Sequence, residues 1–297
     1  MKIKLKLAII SCTITASILF PNLSWARSIE QEIQSTGVLK VGVREDSPLF
    51  GFGGEKTGYC ADFAQELATN LSQKLGKTIK VNLVKSTTQN RWDLVNGGTV
   101  HFECGPNTMV RERERQYGIK FSEPFFVTAT QIFLRAGTIE ETLTKGTIGI
   151  IGGTTNERDI RQIYPEVQIN DSFERRSHGI VSVQLGEITG FASDGILLAG
   201  TASVLEINPQ KYTMVTPLKN NLPFCAAYGM ILPGDEENSQ WRNTVNSLIS
   251  NSEQGKPIWD KWFQDFLPHI GAVLNACQSN QQNNTEGVEE STHLDRI

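Results

Sequence analysis

The chain lacks an excess of positive charge and, after its first 26 residues, lacks any long hydrophobic run. Its 297 residues carry 28 Lys and Arg against 32 Asp and Glu, a formal charge of -4. Because nucleic-acid binding needs a basic face, this balance argues against a nucleic-acid partner. No window of about 18 uncharged apolar residues follows the first segment, so the mature chain is not predicted to span a membrane. A composition of 39% apolar and 20% charged residues is typical of a folded chain of roughly two domains.

The chain also lacks the common motifs of metal, phosphate and hydrolase sites. Its four histidines, at 101, 178, 269 and 293, are scattered, and the G-x-S-x-G elbow of hydrolases is absent. The sequence GGTT at 152–155 does not have the Gly-Lys-Thr/Ser ending of a P-loop. It does place two hydroxyls and free backbone N–H groups where a helix is predicted to begin, a position that favours a carboxylate. Because the motifs of metal and phosphate sites are absent, we predict no metal and no cofactor.

The first 26 residues have the layout of a secretory signal peptide. Lysines at 2, 4 and 6 precede a mostly apolar segment, 7–20, and Ser24 and Ala26 supply small residues before a cleavage point. Cleavage is expected after Ala26, which places the mature protein in the periplasm. The alternative, an N-terminal membrane anchor, is disfavoured because the apolar segment is short.

Export changes how the cysteines are interpreted. Cys12 lies in the predicted signal peptide, and Cys60, Cys104, Cys225 and Cys277 remain. Four cysteines in an oxidising compartment favour disulfides, and the lack of a C-x-x-C pair disfavours zinc. They allow three pairings, among which the sequence alone does not choose. Free buried thiols are the alternative.

Strand and helix patterns alternate along most of the chain. Strands are predicted at 39–43, 79–84, 100–104, 131–134, 147–151 and 190–192. Helices are predicted from 61 to a stop at Gly76, over 90–96, from GGTT through 163, and over 180–185, 196–202 and 241–249. This alternation predicts a parallel three-layer α/β sheet, followed by a second α/β unit. Phe50 is placed at the tip of a loop, and 278–297 is predicted to be a disordered tail.

Three arginines are candidates for binding a small anionic ligand. Arg44 follows the first predicted strand, Arg91 follows a polar segment at 86–90, and Arg113 lies five residues past Thr108. Arginine binds carboxylates through two parallel hydrogen bonds, so such residues suit a small anionic ligand. Taken singly, each is better explained as a solvated surface residue.

A set of motifs follows one fixed order along the chain. They are LKVGVR at 39–44, GYCADF at 58–63, FECG at 102–105 with Thr108 and Arg113, FSEPFF at 121–126, TT at 154–155, GFASD at 190–194 and WDKWF at 259–263. In combination they resemble the family 3 periplasmic solute-binding proteins of amino-acid ABC transporters, over about 36–268. The strings QNR at 89–91 and FECG are most similar to the glutamate/aspartate-binding branch.

The resemblance implies a periplasmic-binding-protein type II fold, a bilobal α/β clamshell in which two hinge strands join two α/β lobes. Lobe one is expected to combine 36–126 and 227–277, and lobe two to span 131–222. The lobes are expected to close over an amino acid in the cleft between them. The protein is expected to be a monomer that delivers its ligand to a membrane permease.

The resemblance also implies roles for single residues. Arg113 and Thr108 are expected to clamp the α-carboxylate of the ligand, and Asp194, on the other lobe, to receive its α-ammonium. Because buried cations are costly without an anion, glutamate or aspartate is the expected ligand. The site for its side-chain carboxylate is expected to comprise Arg44, Thr88, Arg91, Thr154, Thr155 and His178.

The chain departs from the family pattern around this expected site. Pro106 stands where the acidic-ligand branch often has a hydroxyl, and Ile151 replaces a polar residue. The stretch 111–121 is about two residues longer, and His178 lies about two residues closer to Asp194, than the family pattern suggests. These departures bear on which amino acid is bound rather than on amino-acid binding itself.

The resemblance favours one disulfide pairing. Cys225, beside the second hinge strand, is expected to pair with Cys277 past the terminal helix, and Cys60 with Cys104. The other two pairings stay open.

Two other functions compete with transport on such a scaffold. An enzyme of the cyclohexadienyl-dehydratase kind would need a free acid or base in the cleft, and His178, Glu103 and Asp194 are the candidates. A ligand sensor would share the pocket and differ only in its partner. We expect a transport receptor without catalytic activity.

Overall fold

A computed structural model describes residues 28–51, 58–268 and 270–277 of the chain. The strands are β1 Val38–Arg44, β2 Lys80–Ser86, β3 Phe102–Cys104, β4 Ile119–Phe121, β5 Phe126–Arg135, β6 Thr147–Ile151, β7 Gln168–Phe173, β8 Gly190–Asp194, β9 Tyr212–Val215, β10 Leu218–Lys219, β11 Leu222–Pro223, β12 Cys225–Tyr228 and β13 Ile231–Pro233. The helices are α1 Ile29–Thr36, α2 Tyr59–Leu75, α3 Arg91–Asn96, α4 Arg111–Tyr117, α5 Glu140–Leu143, α6 Asn156–Ile163, α7 Arg176–Leu185, α8 Gly195–Val204, α9 Ser239–Ile249 and α10 Gly255–Phe263. The predicted signal peptide and tail lie outside the described residues.

None of the helices in the described parts of the chain combines the length and the apolar character that a membrane crossing requires.

The first sheet has the strand order β2-β1-β3-β13-β4. Strand β1 is parallel to both β2 and β3, as the strand–helix alternation predicts. Strand β13 is antiparallel to β3 and β4, so the predicted all-parallel sheet is wrong here. The reason is connectivity, because β13 enters the sheet from another part of the chain and not through a helical crossover.

Helix α2 shows how the sequence pattern forms the first layer. Phe63, Leu67 and Leu71 recur every four residues and are buried, with α2 packing on β1 and β2. Gly76 ends the helix with φ 61° and donates its N–H to the carbonyl of Ser72. Glycine adopts this left-handed conformation at no steric cost, so the predicted stop at this residue is confirmed.

The second sheet has the strand order β12-β5-β8-β6-β7, with β9 also paired to β5. Strand β6 is parallel to β7 and β8, whereas β5 is antiparallel to β8 and to β12. This sheet is therefore also mixed.

Two strands connect the sheets. Strand β5 follows β4 of the first sheet, and β12 precedes β13 of the same sheet. The first half of β5, from Phe126 to Ala129, pairs with β12, and its second half, from Thr130 to Leu134, pairs with β8. Two antiparallel crossings thus join the first sheet, in lobe one, to the second sheet, in lobe two. The residue boundaries expected for the lobes stay a prediction.

Phe50, which the sequence places at the tip of a loop, does lie in a turn. It is fully buried and contacts the rings of Phe125, Phe126, Tyr228 and Phe263. The carbonyl of Phe50 accepts the N–H of Cys60, so the loop turns back onto the start of α2. Burial of a large aromatic surface outweighs the turn signal of the neighbouring glycines.

Both disulfides expected from the resemblance are present. Cys60 at the start of α2 is bonded to Cys104 at the end of β3, with the two Cα atoms 5.5 Å apart. Cys225 at the start of β12 is bonded to Cys277, with a Cα separation of 5.6 Å. The first bond fastens a helix to the sheet beneath it, and the second fastens one crossing strand to the C-terminal segment.

We expect the two disulfides to contribute similar stability, because they span 44 and 52 residues. Replacing Cys60 and Cys104 together by serine, or Cys225 and Cys277 together, should lower the free energy of unfolding by about 4 kcal/mol in either case. Urea unfolding of the mature protein measures both changes. An unchanged midpoint in either double variant would contradict the assignment of that bond.

Candidate functional site

Residues expected to bind a ligand converge where strands of both sheets end. Arg44 is the last residue of β1 and Asp194 the last of β8, while Arg91 opens α3. Between them lies a cavity of about 20 Å³, which holds roughly one water molecule. Its lining comprises Arg44, Arg91, Pro106, Thr108, Arg113, Thr154, Thr155, Asn156, Arg176 and Asp194. Of the expected set, Thr88 and His178 are missing from this lining.

Arg44 is almost completely buried, with 1% of its surface exposed. Its Nη2 donates to Oγ1 of Thr88 at 2.7 Å and its Nε to a carboxylate oxygen of Asp46 at 3.3 Å. Its Nη1 finds no hydrogen-bond partner among the described residues. Thr88 therefore holds Arg44 in place from outside the cavity, and one guanidinium nitrogen remains available.

Arg91 is also buried and lies with its guanidinium 4.3 Å from the centre of the Trp92 ring. Its Nη1 donates to Oδ1 of Asn107 at 3.2 Å, whereas its Nε has no acceptor within the parts of the chain that the structure describes. Burial, reinforced by the positive charge of Arg44, holds the pKa of Arg91 well below its ordinary value. A ligand anion near these two arginines would relieve that cost.

Glu103, on β3, is a fully buried acid next to this pair. One of its oxygens lies 3.9 Å from Nη1 of Arg44 and accepts the hydroxyl of Ser86 at 2.7 Å. The other accepts Nδ2 of Asn107 at 2.6 Å. Asn107 therefore connects Glu103 to Arg91.

Arg113 projects from α4 and contacts backbone on both sides of the cavity. Its Nη1 donates to the carbonyl of Thr108 at 3.2 Å, and its Nη2 donates to the carbonyl of Gly153 at 3.3 Å. Burial lowers the pKa of Arg113. The contact with Gly153 links α4 of lobe one to the turn before α6 in lobe two.

Asp194 faces Arg113 from the second sheet. One carboxylate oxygen accepts Nδ2 of Asn156 at 2.8 Å, and the other accepts the hydroxyl of Tyr228. Burial, together with the charge of Asp194, raises the pKa of Tyr228. The tyrosine thus remains a neutral donor and holds the carboxylate in one orientation.

The two threonines lie on the turn that leads into α6. Thr155 precedes the first residue of the helix, which confirms the helix start predicted after GGTT. The hydroxyl of Thr154 is already engaged, because it donates to the carbonyl of Ile151 at 2.8 Å.

The structure does not place His178 in the cavity. Its side chain is exposed, and the buried face of α7 consists of Arg176, Gly179, Ile180 and Val183. Residues two apart on an α-helix point about 200° apart, so position 178 faces away when 176 faces inward. Arg176 occupies the place expected for His178. The sequence carried a signal, because His178 is about two residues too close to Asp194 and Arg176 restores that spacing.

Arg176 links the two lobes through Asp46. Its Nη1 lies 3.1 Å from the carbonyl and 3.5 Å from a carboxylate oxygen of Asp46, and its Nε donates to Ser193. Burial alone would raise the pKa of Asp46, but the charges of Arg44 and Arg176 outweigh it and hold the pKa below its ordinary value. Asp46 is therefore a shared counter-charge for one arginine from each lobe.

The site as a whole can bind an anion. Four guanidinium groups face or line the cavity, at Arg44, Arg91, Arg113 and Arg176, against the carboxylates of Asp46, Glu103 and Asp194. One positive charge is left over. Within the described residues, no three His, Cys, Asp or Glu side chains lie close enough together to hold a metal ion.

A second, wider cavity opens beside the first. It encloses about 410 Å³ and shares Asp46 with the arginine cluster. Its walls come from both lobes, through Lys85, Ser86 and Gln89 on one side and Glu174 and Arg175 on the other. This cavity lies within the size range of small-molecule pockets.

Residues 39–265 match the family model of the bacterial extracellular solute-binding proteins, family 3. The glutamate/aspartate import solute-binding protein of Escherichia coli K12 is 28% identical over 263 residues, 84% of each chain. The L-glutamate/L-aspartate-binding protein of Pseudomonas aeruginosa is 25% identical over 267 residues, 84% of this chain and 85% of that one.

Solved structures with the same fold extend this likeness. An ancestral amino-acid-binding protein, a precursor of cyclohexadienyl dehydratase, superposes with a TM-score of 0.66 at 22% identity, covering 80% of this chain and all of that one, 100%. The ligand-binding core of GluR0 from Nostoc punctiforme, in complex with L-glutamate, superposes with a TM-score of 0.61 at 21% identity. The match covers 76% of this chain and 99% of that one. The chain thus has the type II periplasmic-binding-protein fold, as expected.

The depressed pKa of Asp46 predicts a pH-dependent contribution to stability. The pKa of Asp46 in the folded protein lies below the ordinary 3.8. The stabilising contribution of its carboxylate is therefore present above that pH and is lost as the pH falls through the pKa of the folded protein. Asp46→Asn should cost about 2 kcal/mol of unfolding free energy at neutral pH. The difference should shrink toward zero as the pH falls below the ordinary 3.8 and through the pKa of Asp46 in the folded protein.

Urea unfolding across this pH range measures the effect. Asp260→Asn is the matched control, because Asp260 is 34% exposed and pairs with Lys256 on the surface, where a salt bridge contributes little. A stability difference for Asp46→Asn that stayed constant with pH would contradict the shared counter-charge.

Proposed function

Since the chain belongs to the bacterial extracellular solute-binding proteins of family 3, we propose that it is the binding component of an amino-acid ABC importer and captures glutamate or aspartate between its lobes. The protein is then an exported monomer, with residues 1–26 as its signal peptide and a membrane permease as its partner. It carries no catalytic activity. The relatives named for glutamate/aspartate import support the substrate class.

One observation carries this proposal: two buried guanidinium nitrogens have no acceptor among the described residues. They are Nη1 of Arg44 and Nε of Arg91, in side chains 1% and 4% exposed. A buried donor without a partner costs free energy that a bound acceptor recovers. A carboxylate offers several acceptor sites and a negative charge, and therefore fits both needs. The distal carboxylate of an acidic amino acid is the proposed occupant.

The other end of the ligand meets one charged group from each lobe. Arg113, on α4, would bind the α-carboxylate, and Asp194, at the end of β8, would receive the α-ammonium. A cavity of about 20 Å³ is smaller than an amino acid, so entry requires the lobes to part. The contact of Arg113 with the Gly153 carbonyl is the interaction that the ligand carboxylate would replace.

Charge also favours an acidic ligand. The cluster of four arginines and three carboxylates retains one positive charge, which a monoanionic amino acid neutralises. A neutral amino acid would leave that charge in place, and a basic one would double it. Because the site is buried, an uncompensated charge there is costly.

The arrangement of the acids supports binding rather than catalysis. Both carboxylate oxygens of Asp194 and of Glu103 already accept hydrogen bonds, and His178 is exposed outside the cavity. A general base needs an open lone pair directed at the substrate. Glu103 does not line the cavity, His178 is exposed outside it, and the lone pairs that Asp194 keeps would receive the ligand ammonium, so none of the three is left as a free base.

Calorimetric titration of the mature protein with the twenty amino acids tests the proposal. Glutamate and aspartate should bind, and Arg113→Ala should weaken every ligand by at least about a hundredfold, because it removes the partner of the shared α-carboxylate. Arg115→Ala, on the same helix but with a side chain 78% exposed, should bind like the parent. Tighter binding of neutral amino acids than of glutamate by the parent would refute the pocket assignment.

Arg91→Ala distinguishes binding of the distal carboxylate from binding of the α-carboxylate and α-ammonium. Loss of this guanidinium should weaken acidic amino acids by at least about tenfold, since their distal carboxylate loses a charged partner. Binding of glutamine, which has no distal charge, should change less than about threefold. Competition between glutamate and glutamine for one preparation of the variant measures the difference, and an equal loss for both ligands would place Arg91 outside the side-chain pocket.

A further inference from the structure

The proposed function leaves a charged group beneath the pocket without a role. Glu103 has no exposed surface, 0%, and does not line the cavity. Its carboxylate nevertheless lies 3.9 Å from Nη1 of Arg44, the same nitrogen that has no hydrogen-bond partner in the described chain. A buried carboxylate is costly, so its retention next to a ligand-facing arginine calls for a physical reason.

The fold makes room for Glu103 and holds it in one orientation. Gly42, its partner across the β1–β3 ladder, would place a Cβ 2.8 Å from Cγ of Glu103 if it carried a side chain. A Cβ on Gly105 would meet Oε1 of Glu103 at 2.8 Å. Ser86 and Asn107 donate to its two oxygens. Two glycines and two donors thus fix the carboxylate behind the arginines.

Asn107 extends the network to the second arginine. Its Nδ2 donates to Glu103 at 2.6 Å, which turns its Oδ1 toward Nη1 of Arg91, 3.2 Å away. If the amide were flipped, two donors would face each other at Arg91. The same Nδ2 also donates to the carbonyls of Gly105 at 3.1 Å and Gly229 at 3.3 Å, so Glu103 orients the amide together with two backbone acceptors. Glu103 thus acts on Arg44 through its charge and helps to orient Arg91 through Asn107.

We propose that Glu103 is a positioning residue that determines specificity: it contacts no ligand, but it sets how many positive charges the ligand meets and so limits the preference for an acidic over a neutral amino acid. This inference rests on the proposed function, because it assumes that Arg44 and Arg91 receive the distal carboxylate.

The charge count gives the direction of the effect. With Glu103 ionised, the cluster keeps one positive charge, and glutamate neutralises it. Without Glu103, two positive charges would remain on the cluster. The attraction between the cluster and the distal carboxylate of the ligand would then be stronger, because the distances in a buried site are short. Glu103 stabilises the unliganded arginines at the expense of affinity, which suits a receptor that must release its ligand to a permease.

Glu103→Gln tests the inference, because glutamine removes the charge while its oxygen can still accept from Asn107 and its NH2 can donate to the hydroxyl oxygen of Ser86. We expect the ratio of the glutamine to the glutamate dissociation constant to rise by about tenfold or more. We also expect a lower melting temperature without ligand and a larger increase in melting temperature on adding glutamate. Calorimetric titration and thermal unfolding of the mature protein measure these quantities.

Two further variants control the test. Glu103→Asp keeps the charge but draws it back by one methylene, so its ratio should lie between those of the parent and E103Q. If E103Q does not fold, the E103D ratio must still exceed that of the parent. Glu112→Gln removes a charge from a side chain 71% exposed on α4, where solvent screens it, and should leave the ratio unchanged.

The outcomes separate this inference from the proposed function. If the parent protein does not bind glutamate, the proposed function fails. If the parent binds glutamate but E103Q weakens glutamate and glutamine equally, Glu103 has only a structural role and the inference is overturned. A ratio that falls, or an E112Q ratio that rises as much as that of E103Q, would overturn it as well.

Discussion

The burial of several guanidinium groups around one small cavity is the constraint on which the site depends. Positive charges repel one another strongly away from water, and each N–H that loses its water needs a new acceptor. The chain meets this demand with Asp46 for Arg44 and Arg176, with an amide for Arg91 and with backbone carbonyls for Arg113. Two buried nitrogens, Nη1 of Arg44 and Nε of Arg91, still have no acceptor among the described residues, and an anion in the cavity would supply it under the proposed function.

The fold makes this arrangement possible because it brings strand ends from two sheets to one place. Carboxyl ends of parallel strands meet at one edge of a sheet, which puts Arg44 next to β2 and β3. The two crossing strands then carry the chain to a second sheet, where Asp194 ends β8. Tyr228, on the returning strand β12, donates to Asp194 across this junction. The strands that connect the lobes thus also orient the acid that faces the arginines.

Much of the local structure could be predicted from the sequence. Apolar residues every four positions and a terminal glycine place α2 correctly, since both features act within one helix. The direction of β5, β12 and β13 could not be predicted, because strand direction depends on where the chain re-enters a sheet and not on the strand's own residues. The burial of Phe50 could not be predicted for a similar reason, because its aromatic neighbours, such as Phe263, are far away in the sequence.

The sequence by itself determined the order of the family motifs along the chain and, through them, the residues expected to bind a ligand. Arg44, Arg91, Arg113 and Asp194 could be named because they match positions of the family motifs that the chain resembles, whereas position alone would have left the arginines as surface residues. Only the tertiary structure decided which of them meet, and Arg176 rather than His178 lines the cavity because of the face of α7 that packs inward. It also decided the pairing of Asp46 with arginines of both lobes and the place of Glu103 behind them. Such contacts depend on packing between segments distant in the chain, and no local pattern encodes them.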